Sequence, residues 1–158
     1  MVEREKRREL ADFLEAFISG ALTNDEFVDE ESEIRARQRP PRRERDRALE
    51  AVTSMAWYMY DDLSEHRLVD KHALTPEGLA EVRRWILFLR NDLEYEWPVD
   101  DFINVGGCLL NLITLGLWDC LLRKRFWRRM QATGDFEVWP FIRDVDYRQA
   151  LARQASQS

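Results

Sequence analysis

Asp62, His66 and Asp70 recur at four-residue spacing, which on one helical face would align a carboxylate, an imidazole and a second carboxylate. Such a trio can bind a metal ion or tune a general base near neutral pH. His66 and His72 are the only histidines, however, and their spacing matches no metal-binding signature. The surrounding SEHRLVDKHALTP is also leaving its helical pattern, so a solvated helix end, with His66 against the terminal carbonyls, is the plainer expectation. A second set, Asp92, Glu94, Glu96, Asp100 and Asp101, surrounds Tyr95 and Trp97. Two carboxylates across a cleft hydrolyse a glycosidic bond only when one sits in a dry pocket with a raised pKa. Bulky rings interleave this run, so only some of its carboxylates can be dry. An acidic aromatic patch facing a basic partner protein suits it better, the rings supplying contact area and the carboxylates steering and orientation. The candidate interaction surface is therefore Asp92, Glu94, Tyr95, Glu96, Trp97, Asp100 and Asp101; the alternative is that Tyr95 and Trp97 plug the end of a bundle.

Basic residues concentrate elsewhere. Arg35, Arg37, Arg39, Arg42, Arg43, Arg45 and Arg47 follow the acidic run Asp25, Glu26, Asp29, Glu30, Glu31 and Glu33. Arginines can contact phosphates, but no aromatic is interleaved with them, which reads against single-stranded nucleic acid. Self-neutralisation within the domain or across a homodimer is simpler. No GxGxxG, no phosphate-binding loop of the Walker type and no GxSxG elbow occurs, so neither a cofactor nor a metal site is expected. An enzyme of unrecognised class would need Asp62, His66 and Glu94 or Glu96 to converge on one pocket.

The bulk properties agree with a folded, acidic protein. With 158 residues, 45% hydrophobic and 11% aromatic, the chain is long and apolar enough for one buried core. A formal net charge of −6 reads against nucleic acid as the main partner. Cys108 and Cys120 lie in apolar surroundings and read as buried thiols of a reducing compartment. The opening MVEREKRREL is charged with no apolar run behind it, which reads against an export signal. A cytoplasmic location is the expectation.

Helices must position all of these groups. Leu10, Phe13, Leu14, Phe17 and Ile18 form one stripe, stopped by Gly20. Thr23-Asn24-Asp25-Glu26 has capping-box form and predicts a short acidic helix to about Ile34. An arginine- and proline-rich loop is expected over 35–47, and a third helix beyond Pro40-Pro41 on Leu49, Val52, Ala56, Met59, Tyr60 and Leu63. Trp57, Tyr58 and Tyr60 spread around more than one face of it, so one side is core and the other calls for a further helix or a second subunit. Thr75-Pro76 starts a fourth helix on Leu79, Val82, Trp85, Ile86, Leu89 and Leu93, ending near Glu94. The segment 102–118 carries no charge and is near the length of the shortest transmembrane helices, ~17 residues. Its Gly106-Gly107, Asn104, Asn111, Thr114 and Gly116 favour a buried helix, with membrane association the alternative. A helix from Leu117 to about Met130 follows. Pro140 is placed to open a last helix through Tyr147 and Leu151, before a frayed tail at 154–158. Trp97 and Trp139 both precede proline and should be extended. No strand-period run stands out, so the fold class is all-α, a compact bundle of five to seven helices in a single domain without a sheet.

The blocks LTNDEFVDE, MAWYMYDDLSEHRL and EVRRWILFLRNDLEYEWP, in this order, resemble those of a group of small bacterial proteins to which no activity is attached. The resemblance spans most of the chain between Ala21 and Ile142. It implies a single helical domain in a bacterial cytoplasm and carries over no catalytic or binding residue. Taken together, the residues favour a non-enzymatic protein-binding module, an immunity-type protein that neutralises a basic partner being one concrete form.

Overall fold

Threonine begins two of the helices by the mechanism its context requires. The Glu26 backbone N–H donates to Thr23 Oγ1 (3.2 Å), and the Thr23 N–H donates to the Glu26 carboxylate (2.8 Å), closing the capping box. Thr75 Oγ1 accepts from the Gly78 N–H at 3.1 Å, with Pro76 in the first helical position. In the computed structural model, which describes residues 2–37, 46–61, 63–98 and 128–156, the chain is all-α. The helices are α1 (Arg4–Ile18), α2 (Asn24–Ala36), α3 (Arg47–Ala56), α4 (Pro76–Leu89), α5 (128–133) and α6 (Asp144–Ala155). Among the described residues there is no strand. Asp100, Asp101, the segment 102–118, both cysteines, most of the helix expected from Leu117 and most of the arginine-rich segment lie outside the described residues.

The core follows from the stripes. Leu10, Ala11, Leu14 and Phe17 of α1 are fully buried, and α1 packs most extensively on α4, then on α2. Gly20 ends α1 with φ +76°, and the Ala21 N–H reaches back to the Ala16 carbonyl at 2.8 Å, a Schellman ending that requires the left-handed conformation. In α4 the five residues Trp85 to Leu89 are all buried, because the helix lies between two apolar clusters. Val82, Trp85, Ile86 and Leu89 face the first, with Phe17, Phe27 and Val52; Leu87 and Phe88 face the second, with Val138, Phe141 and Ala150.

A buried ion pair holds these layers in register. Asp46, the N-cap of α3, accepts from Arg7 Nε (2.6 Å), Arg7 Nη2 (2.8 Å), the Glu3 N–H (2.8 Å) and the Ala48 N–H (3.0 Å). The other arm of Arg7 donates to the carbonyls of Leu93 (2.6 Å) and Asn91 (3.3 Å). Both side chains are 1% exposed, and every donor direction used is one the planar guanidinium fixes. One residue of α1 therefore ties the start of α3 to the segment leaving α4.

Several boundaries differ from the sequence expectation. The third helix stops at Ala56 rather than Leu63: a 3₁₀ turn, Trp57–Met59, follows, and Tyr60 is extended (φ −141°, ψ 165°). The cause is Tyr60 itself, whose ring turns inward to meet Phe17 and Phe27 edge-on at 5.7 and 6.3 Å. α4 ends at Leu89, because Arg90 caps it and the next carbonyls serve Arg7. Both ends of the expected 35–47 loop are helical, since α2 runs to Ala36 and Asp46 caps α3 at Arg47; 38–45 lies outside the described residues. Pro140 does not open the last helix. It sits in a turn after a cis Trp139–Pro140 bond, and α6 begins at Asp144 with acidic residues in its first turn. The tail expected to fray from 154 is helical through Ala155.

Candidate functional site

The two most exposed aromatics among the described residues, Trp57 and Tyr58, are neighbours where α3 ends beside α2. Shortening of α3 at Ala56 leaves Trp57 56% and Tyr58 82% exposed, while Tyr60 folds back beneath them. A groove of about 380 Å³ results, near the lower end of the ~300–1,000 Å³ of typical ligand sites and open to solvent. Phe27, buried and stacked on Phe17 at 4.7 Å, forms its floor with Tyr60. Val28, Glu31 and Ser32 supply the α2 wall, Thr53 and Ser54 the α3 wall, and Trp57 with Tyr58 the lip. Trp57 and Tyr60 lie 6.2 Å apart at 55°, so they form a tilted ledge rather than a closed cage.

The polarity of the groove is one-sided. Thr53 Oγ1 donates to the Leu49 carbonyl (2.9 Å) and Ser54 Oγ to the Glu50 carbonyl (2.7 Å), so both hydroxyl protons are turned back onto α3. Glu31 brings a half-buried carboxylate, and among the described lining residues none is basic. α2 also carries Asp25, Glu26, Asp29, Glu30 and Glu33. An apolar ledge backed by negative charge attracts a cation that also has a flat or apolar surface.

The carboxylate run after α4 is built differently. Trp97 is fully buried, its Nε1–H donating to the carbonyls of Pro140 (3.0 Å) and Phe141 (3.1 Å). Tyr95 is largely enclosed: its oxygen accepts from Trp139 Nε1 at 3.2 Å, and its ring packs edge-on against Phe88 and Trp139. Burial pushes the Tyr95 phenol up to about 12, against a smaller opposing effect of the Trp139 hydrogen bond. The expectation that Tyr95 and Trp97 offer rings to a partner is therefore corrected; they lock the segment after α4 to the Trp139–Phe141 turn. Asp92, Glu94 and Glu96 remain exposed, and Asp92 pairs with Arg4 at 2.7 Å.

Neither the solvated helix end expected at His66 nor a helical face shared by His66 and Asp70 is seen. No helix runs through this stretch: Asn24, itself buried, donates to the carbonyls of Asp61 and Ser64 (both 3.2 Å) and accepts from the His66 N–H at 2.7 Å. His66 Nδ1 lies 2.8 Å from the Ser64 carbonyl, and its ring stacks on His72 at 4.3 Å. Asp70 sits in a turn with φ +51°, and Asp62 lies outside the described residues. His66 and Glu94 belong to opposite ends of α1. Arg67 binds the Gly20 and Ala21 carbonyls at one end, Arg7 holds Leu93 at the other, and the intervening helix spans roughly 20 Å. One pocket cannot contain both. Among the described residues, no group of three or more His, Cys, Asp or Glu is placed to hold a metal ion.

A larger hollow of about 820 Å³ runs along α1, but Arg4, Lys6, Arg8 and Arg37 line it together with Glu5, Glu9 and Asp12. Its charges are matched locally, as in the Arg37–Glu9 pair at 2.6 Å and the Arg90–Asp12 pair at 2.8 Å, and it has no aromatic wall. Arg37 thus pairs with a carboxylate of α1, and its Nε also donates to the Glu33 carbonyl of α2 at 3.3 Å, so this arginine is neutralised within the fold. The α2–α3 groove is the better candidate. Sequence reasoning flagged its lip, through aromatics on more than one face of WYMY, but not its floor or its α2 wall. No family model, curated protein or solved structure matches the chain.

Proposed function

We propose that this protein is a non-catalytic binding module that recognises a cationic protein segment. The observation that carries the reading is the pair of exposed rings, Trp57 and Tyr58, on a groove whose charged wall is Glu31 of an acid-rich helix. Aromatics at such a site provide contact area in few rotatable bonds, and the carboxylates of α2 accelerate encounter with positive charge. The net charge of −6 acts in the same direction. Exposed Asp92, Glu94 and Glu96 extend the attraction without providing rings. An immunity-type role, in which the partner is a basic toxin domain, is one concrete form, and a bacterial cytoplasm is the setting that the sequence resemblance suggests.

The test uses defined probes. The full chain is immobilised and exposed to polyarginine, polylysine and polyglutamate of equal length, from low to physiological salt. The reading expects binding of the polycations alone, weakening as salt rises. Equal binding of polyglutamate, or no binding of either polycation at low salt, overturns it.

A further inference from the structure

We infer that His66 and His72 form a two-imidazole site for a divalent transition ion of the zinc or nickel class, on the segment between α3 and α4. Neither residue lines the α2–α3 groove, so the inference stands apart from the cation-binding reading. Their sequence spacing is no metal-binding signature, yet the fold sets their rings 4.3 Å apart, centroid to centroid, and 27° from parallel. Both are half-buried, and they are the chain's only histidines. Asn24 fixes the first of them. The His66 N–H donates to Asn24 Oδ1 at 2.7 Å, and the His66 carbonyl accepts from the Asn24 N–H at 2.9 Å. The turn Asp70–His72 carries the second ring back over the first, with Asp70 held at φ +51° and the His72 N–H donating to the Val69 carbonyl at 3.0 Å. A non-glycine residue adopts that left-handed conformation only at a cost.

The nitrogens are placed for ligation. A carbonyl only accepts, so in the neutral ring His66 Nδ1, 2.8 Å from the Ser64 carbonyl, carries the proton and Nε2 keeps its lone pair. That is the usual support of a metal-binding imidazole, because it orients the ring and raises the basicity of the other nitrogen. No hydrogen bond among the described residues occupies His66 Nε2 or a ring nitrogen of His72. The separation also fits. With metal–nitrogen bonds of ~2.0–2.1 Å, two imidazoles on one ion near a right angle have centroids roughly 4.5 Å apart. Turning one ring about its Cβ–Cγ bond opens the stack from 27° toward the wider angle such ligands require. Charge along the segment is balanced, Glu65 and Asp70 against Arg67 and Lys71. Imidazole nitrogens suit zinc, nickel and copper ions, whereas Mg²⁺ and Ca²⁺ take oxygen ligands. Two protein ligands are fewer than a closed structural site uses, so water completes the coordination and the ion exchanges. Once bound, it ties the residue held by Asn24 to the turn ahead of α4.

The experiment is a Zn²⁺ titration of the full chain followed by NMR of the imidazole nitrogens and protons, signals that only His66 and His72 can give. Both rings are expected to shift together along one binding curve, and Mg²⁺ at the same concentrations to shift neither. His72→Phe keeps a ring stacked on His66 while removing the second ligand. It should weaken Zn²⁺ binding at His66 at least about tenfold, as a two-point contact becomes a one-point contact. His66→Ala should weaken binding at His72 by a similar factor, with circular dichroism confirming that each variant is folded. Zn²⁺ should also slow amide exchange across 66–72 in the parent chain and in neither variant. If His72→Phe binds Zn²⁺ at His66 as tightly as the parent does, each imidazole acts alone and the inference is overturned. Independent shifts of the two rings overturn it too, as does the absence of any shift at millimolar Zn²⁺.

Discussion

Replacing Asp46 by alanine would strike the fold at the point where α1, α3 and the segment after α4 meet. Asp46 accepts four hydrogen bonds, two from Arg7 and one each from the Glu3 and Ala48 N–H groups, and both charged side chains are 1% exposed. Removing one partner of a buried pair costs about 3–5 kcal/mol, because the other charge is left without compensation. Loss of the α3 N-cap adds about 1 kcal/mol. Asp46→Ala should therefore lose roughly 4–6 kcal/mol, a large share of the ~5–15 kcal/mol that stabilises a typical domain. Arg7→Met should lose about 3–5 kcal/mol by the same route, though the carbonyls of Asn91 and Leu93 also lose their donor. The double variant has no stranded charge. Its cost should fall at least about 2 kcal/mol short of the sum of the two single losses, within the range of coupling between contacting residues. Urea unfolding followed by circular dichroism, with midpoints and slopes fitted for all four proteins, measures the cycle. Additivity within about 0.5 kcal/mol would refute the claim that the pair acts as one buried unit.

Three further outcomes follow from the same contacts. Tyr95 is neutral in the fold up to about 12, whereas an unfolded tyrosine ionises near ~10. The unfolded chain thus sheds this proton first, and stability falls as pH rises from about 10 to 12, by ~3 kcal/mol in all. Tyr95→Phe should show a correspondingly shallower alkaline loss in unfolding free energy measured across that window. Gly20→Ala should destabilise by ~1–3 kcal/mol in thermal unfolding, since the residue holds φ +76° and a Cβ would lie 2.5 Å from Val69 Cγ1. Trp97→Phe removes the donor shared by the Pro140 and Phe141 carbonyls; a loss of ~1–3 kcal/mol is expected, with amide exchange quickening around Phe141.

Local signals proved legible because they act over short spans. Thr23 with Glu26, Thr75 with Pro76, and Gly20 each do what their immediate neighbours imply, and the stripe of α1 is its buried face. What sequence could not reveal depends on distant partners. Arg7 looks like any of the chain's arginines until Asp46 is found beside it, and Trp97 is turned inward by carbonyls forty-odd residues away. The end of α3 was misread because MAWYMY continues a helical stripe, while Tyr60 gains more by meeting Phe17 and Phe27 than by completing another turn. That departure is also what exposes Trp57 and Tyr58. The candidate site therefore lies where the local pattern and the tertiary contacts disagree. The Asp92–Glu96 run misled for the converse reason: charge and aromatic content are visible in sequence, but the direction each ring takes is not.

The most direct measurement is an isotope-filtered NMR experiment on the full chain bound to polyarginine, recording intermolecular proton contacts. The account expects the arginine side-chain methylene protons to contact the rings of Trp57 and Tyr58, with chemical-shift changes concentrated at Phe27, Glu31 and Ser54. Contacts confined to Asp92, Glu94 and Glu96, with the Trp57 and Tyr58 rings unaffected, would contradict it.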